Sequence, residues 1–138
     1  MKITAGRGDV IAVPINGVWA LGRVIFVSKY FKEIMLIEFR GPFSSDAADW
    51  HTGRPLVSVY TAAASFERRG WKKVGTAGVG DAELKKSIRV VANEVWEQDV
   101  FLRKATANDK QQIPMMLVDG FIRVESTLLR AIAEDAGC

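Results

Sequence analysis

Along the first forty positions apolar residues come in blocks separated by short polar breaks. Val10–Ile15 (VIAVPI) reads as a strand, with Pro14 confined to an edge or an end because it has no N–H for a ladder. Asn16-Gly17 follows, the dipeptide that best suits a two-residue hairpin turn, and Val18–Val27 runs back as the second strand. Gly22 inside that run predicts a bulge or a sharp bend. After the turn 28–33 (SKYFKE), Ile34–Phe39 (IMLIEF) is almost wholly apolar and so predicts a central strand. These strands imply a small, strongly curved antiparallel sheet or a partial SH3-like barrel in the N-terminal half.

The second half is less regular. Residues 41–55 (GPFSSDAADWHTGRP) show no period and predict a long loop, of a length that is either mobile or functional. Leu56–Ala62 and Trp71–Val74 return to extended character, and Asp81 is placed to cap a brief helix reaching about Lys85. Ile88–Ala92 and Val100–Lys104 read as extended, although 88–102 also admits a helix whose period Val91, Val95 and Leu102 fit poorly. Asp119-Gly120, between MMLV and FIRV, predicts a second hairpin. A final helix is expected from Ser126 or Thr127, with Leu128, Leu129 and Ile132 on one side and Gly137 after it. The expectation is one α+β, β-rich domain over residues 1–138, closed by a C-terminal helix.

Composition narrows the functional classes. The chain has 138 residues, 49% hydrophobic and 25% charged, as in ordinary globular proteins. No run approaches the roughly 20 apolar residues of a membrane span, and the N-terminus lacks the apolar core of a secretory signal. The single cysteine, Cys138, excludes an intramolecular disulfide, so a soluble cytoplasmic protein is expected. A net charge of +3, from 19 basic and 16 acidic residues, is a weak signal for a polyanionic partner. With His51 as the only histidine, two-histidine zinc motifs are impossible. Gly75 and Gly80 have Walker A spacing, but Asp81-Ala82 stands where lysine and a hydroxyl are required. No catalytic residue, metal or cofactor is expected.

Two stretches remain as candidate contact surfaces. Asp46, Asp49, Trp50, His51 and Arg54 share the 41–55 loop; carboxylates and imidazole could hold a cation, but short acids also favour loops by capping local N–H groups. Trp50 there would serve as a lid or an interface anchor. Residues 66–73, FERRGWKK, set Arg68, Arg69, Lys72 and Lys73 around Trp71. Such a run could hold phosphates and stack a base. Alternation, however, puts Trp71 and Lys73 on one face and Lys72 and Val74 on the other, which suits a solvated strand edge.

Residues 8–27, GDVIAVPINGVWALGRVIFV, resemble the opening of the immunity protein 26 family of bacterial polymorphic-toxin systems. The resemblance lies in Gly8-Asp9, Val10–Val13, Pro14-Ile15, Asn16-Gly17 and Gly22-Arg23-Val24, with Trp71–Gly75 as a second element. It spans residues 6–40 and 70–75. It implies a non-enzymatic protein that neutralises a cognate protein toxin by covering its surface. Asp9 would then cap a turn, Gly22 would permit a strand bend, and Trp71 would pack in the core. The partner-facing candidates are Asp46, Asp49, Trp50, His51, Arg54, Arg68, Arg69 and Lys72. Two other readings stay open: a nucleic-acid-associated curved sheet using the 66–73 run, and a ligand-binder or small enzyme using Asp46, Asp49 and His51.

Overall fold

A computed structural model describes the backbone of residues 4–44 and 54–136. Strands β1 (Asp9–Ile15), β2 (Val18–Ser28), β3 (Ile34–Ser44) and β4 (Arg54–Ala62) form an antiparallel meander. After a 3-10 turn at Phe66–Arg69, β5 (Lys72–Thr76) returns to pair with β1, giving the order β4-β3-β2-β1-β5. This five-stranded antiparallel sheet is not closed, and with the C-terminal helix it gives the expected β-rich α+β fold. Helix α1 (Asp81–Leu84) leads to a second antiparallel sheet of β6 (Arg89–Val91), β7 (Glu94–Glu97) and β8 (Val100–Lys104). Helices α2 (Ala107–Gln112) and α3 (Phe121–Ala136) complete the chain. No helix among the described residues is long and apolar enough to cross a membrane.

The larger sheet is covered on both faces, which is why its strands lack apolar-polar alternation. On one face Ile11, Val13, Val24, Met35, Ile37 and Phe39 pack under Val124 and Leu128 of α3, with Phe66 and Trp71 in the same cluster. On the other, Ile25, Phe26 and Leu36 pack with Leu84, while Val10, Ala12 and Leu21 pack with Ala77. Asn16 and Gly17 both have positive φ, as the β1–β2 hairpin turn demands.

Gly22 does not itself carry a bulge. It pairs in register with Ile11 and Phe39, and the register shifts flank it, at Trp19/Leu21 and Val24/Phe26. Its bareness has a packing cause: a Cβ there would lie 2.7 Å from side-chain atoms of Ile37 and Phe39. The second shift leaves Ile25 as an extra residue, so Ile25 and Phe26 both join the cluster around Leu36.

Three other segments depart from expectation, and a fourth settles between its two readings. Asp119-Gly120 is no hairpin: α3 begins at Phe121, and the Gly120 carbonyl accepts its first helical bond from Val124 at 3.1 Å. The inward residues Phe121, Val124, Leu128 and Ile132 repeat at helical spacing from the start of FIRV. Between the two readings of 88–102 the extended one holds, with β7 added between left-handed turns at Ala92 and Gln98. Helix α2, not anticipated, is set by a capping box in which Thr106 and Asp109 exchange side-chain-to-backbone bonds at 3.0 Å. The loop expected over 41–55 is shorter, because β3 runs to Ser44 and β4 begins at Arg54.

Candidate functional site

Asp46, Asp49, Trp50 and His51 lie outside the described residues. Arg54 opens β4, where its backbone pairs with Gly41. Arg68 and Arg69 end the 3-10 turn, and Lys72 opens β5. Among the described side chains, Arg69, Lys72 and Lys73 turn to three separate partners. Arg69 makes a two-pronged bond to Glu125 of α3, Nε to Oε2 at 3.1 Å and Nη2 to Oε1 at 2.5 Å. Trp71, 1% exposed, donates its indole N–H to the same carboxylate at 2.8 Å. The Arg69 bond, aided by Trp71 and opposed by partial burial, holds the Glu125 carboxyl below its ordinary range. Lys72 lies 5.1 Å from the Trp19 ring, and Lys73 Nζ reaches Asp9 Oδ2 at 3.2 Å. Asp9 also accepts the Gly6 N–H at 2.7 Å, closing the turn before β1. Arg68 remains exposed.

A second polar group lies between the larger sheet and α1. Glu38, 1% exposed, is paired with Lys86 and approached by Arg23 at 3.5 Å and Arg40 at 3.6 Å. Burial raises its pKa, but these cations, Lys86 foremost, bring it below the usual value. Arg23 also bonds Glu83 and donates to the Gly78 carbonyl at 2.8 Å. A cleft of about 520 Å³ borders Glu38, Lys86 and Pro55. A carboxylate held ionised by several cations is a poor proton acceptor, so its work is to fasten α1 to the sheet. Among the described residues no three His, Cys, Asp or Glu side chains are grouped to hold a metal.

A third feature is the β2–β3 turn, residues 29–33. Lys32 and Glu33 both take left-handed backbone, at φ 50° and 58°, unusual for side chains of their size. Asp99, in the β7–β8 turn, clamps this turn from the other sheet. Its Oδ1 accepts from the Ser28 hydroxyl at 2.5 Å, and its Oδ2 from the N–H groups of Lys29 and Tyr30 at 2.9 and 3.4 Å. Burial tends to raise the Asp99 pKa, but Ser28, the two N–H donors and the Arg89 charge hold it low. The Phe31 N–H donates back to Ser28 Oγ at 2.8 Å. Tyr30, fixed at its backbone, leaves 66% of its surface in water and leans on Trp96 with ring centres 4.9 Å apart. Phe31 and Phe101 meet Trp96 edge-on from two other sides.

Behind this turn Arg89 joins the sheets. It is 1% exposed, and its Nη1 donates to the carbonyls of Ser87 and Gln98 at 3.0 and 2.6 Å. Its guanidinium lies 5.2 to 5.8 Å from the rings of Phe26, Phe31 and Tyr60. Burial lowers the Arg89 pKa and pushes that of Tyr60 up to about 12.

Residues 114–119 run along the seam. Val90 N donates to the Pro114 carbonyl at 2.8 Å and Met116 N to the Val90 carbonyl at 2.9 Å. Further on, Asp119 N donates to the Tyr60 carbonyl at 2.8 Å. The segment therefore hangs between β6 and β4 with Met115, Leu117 and Val118 exposed. A cleft of about 360 Å³ opens between it and the β2–β3 turn, lined by Tyr30, Phe31, Lys32, Ile34, Met116 and Val118. None of these residues was a candidate from sequence. The available signal was Tyr30-Phe31, two adjacent aromatics in a turn without glycine or proline. No protein-family model, curated protein or solved structure matches this chain.

Proposed function

We propose that the chain is a non-catalytic, cytoplasmic protein-binding module that neutralises a cognate toxin by covering part of its surface, as in the family its N-terminal residues resemble. The observation that carries the binding reading is Tyr30, two-thirds exposed yet fixed by Asp99 beside an apolar cleft. Tyrosine is a preferred interface anchor, and an anchor already ordered loses little entropy on binding. The exposed Met115, Leu117 and Val118 extend the apolar surface, and methionine adapts to varied partner shapes. A phosphate-binding role draws less support, since Arg69 and Lys73 already meet Glu125 and Asp9.

Affinity capture from the native host, with and without nuclease and at two salt concentrations, tests the reading when wild type is compared with Tyr30→Ala. One protein retained through nuclease and higher salt, and lost with Tyr30→Ala, is the expected outcome. Co-expression should then relieve that protein's toxicity. Capture of many nucleoproteins, released by salt or nuclease, would overturn the reading.

A further inference from the structure

We infer that the cleft between the β2–β3 turn and residues 114–119 receives an acidic, apolar-anchored peptide segment of the protein partner. One or two large apolar side chains fill the cleft while a neighbouring carboxylate meets the Lys32 ammonium. This rests on the protein-binding reading above and specifies its chemistry.

Size and lining define the apolar half of the ligand. At about 360 Å³ the cleft sits near the lower end of ligand-holding clefts, roughly 300 Å³ and upward. Five of its six lining residues (Tyr30, Phe31, Ile34, Met116 and Val118) are apolar or aromatic. Tyr30 and Val118 leave 66% and 50% of their surface in water on opposite sides, so the mouth is bounded by side chains that gain from being covered.

Charge defines the other half. Lys32 is the single ionic group in the lining, and among the described residues it takes part in no salt bridge. Of the nearby acids, Asp99 is occupied by Ser28 and the turn backbone, and Glu33 does not line the cleft. A carboxylate brought against Lys32 would be partly screened from water by the apolar walls, where a charge-assisted bond gains strength. One cation cannot track a phosphate backbone, but it suffices for a single Asp or Glu. The left-handed backbone at Lys32 and Glu33 sets the direction in which the Lys32 side chain leaves the turn, and conformations of this kind gather at binding sites.

The test is a displayed random heptapeptide library selected separately on wild type, Tyr30→Ala and Lys32→Glu. A cooperative thermal transition followed by far-UV circular dichroism verifies folding, and Lys32→Gln serves as a second, milder variant. Wild type should enrich peptides with Asp or Glu within two positions of Leu, Ile, Phe or Trp. The best synthetic peptide should lose at least about tenfold in affinity with Tyr30→Ala and with Lys32→Gln, and Lys32→Glu should enrich Lys or Arg instead. Enriched peptides that lack an acid or ignore both Lys32 variants, yet need Tyr30, would overturn this inference and leave the protein-binding reading standing. No enrichment, or binding indifferent to Tyr30 as well, would overturn this inference, and host capture that ignores Tyr30→Ala would overturn the protein-binding reading with it.

Discussion

The stretches FERRGWKK (66–73) and SKYFKE (28–33) share a recipe, aromatic rings among basic side chains, and end in opposite states. In the first, the indole is buried and two of the cations are held by acids from other elements. In the second, the tyrosine ring faces water and the lysines flank it. What separates them is which atoms the distant acid meets. Glu125 arrives on α3 and takes side-chain donors, the Arg69 guanidinium and the Trp71 N–H. Asp99 arrives on the β7–β8 turn and takes the Ser28 hydroxyl and two backbone N–H groups, so the Tyr30 ring and the lysines of that turn remain available. One acid consumes an aromatic-basic cluster; the other displays it.

The sharpest break of this contrast is Trp71→Ala. Removing a fully buried indole from the main core should cost about 3–5 kcal/mol, read as a lower denaturant midpoint. Glu125→Ala should cost about 1–3 kcal/mol in the same assay, because the buried indole N–H loses its acceptor. The acid shape of stability should change too. The Glu125 pKa is lowered from 4.5 in the folded chain, so its stabilisation is present above about pH 4.5 and is lost as pH falls through the lowered value. Glu125→Gln should therefore flatten the decline measured between about pH 5 and 3; an unchanged slope would detach Glu125 from the account. Tyr30→Ala, by contrast, should lower stability by only about 1 kcal/mol, the scale of one aromatic contact, while abolishing partner binding. Smallest is Glu33→Gly, which relieves left-handed strain and should raise stability by about 0.5–1 kcal/mol.

The sequence made the meander readable because each device there is local. Asn16-Gly17 turns the chain, and VIAV and IMLI are apolar on both faces because helix and loops cover both. Trp71 in the core was implied by the family resemblance and not by the alternation in WKKV, since β5 begins only at Lys72 and all its residues are exposed. Asp119-Gly120 misled because the same dipeptide can end an extended segment and open a helix, and the period beginning at Phe121 decides between them. β7 escaped because EVWE is only four residues long, bounded by Ala92 and Gln98 in left-handed backbone that such side chains seldom adopt. The Tyr30 surface was illegible for a deeper reason. Asp99 stands far along the chain from Tyr30, and nothing in SKYFKE announces that a carboxylate will come to hold it.

The pairing of β5 with β1 carries a consequence for the order of assembly. The meander joins strands that follow one another, so its ladders close over short stretches of chain. β5 must instead find β1 from the far end of that meander, matching Asp9 to Thr76. Trp71 enters the core beside that strand, and Phe121 of α3 meets its ring at 5.0 Å. During synthesis the β1 edge therefore stays open until residues 72–76 have emerged, and the floor beneath α3 until residues 121–136 have followed. The newborn chain passes through an interval in which its own unsealed edge is the surface most in need of a chaperone.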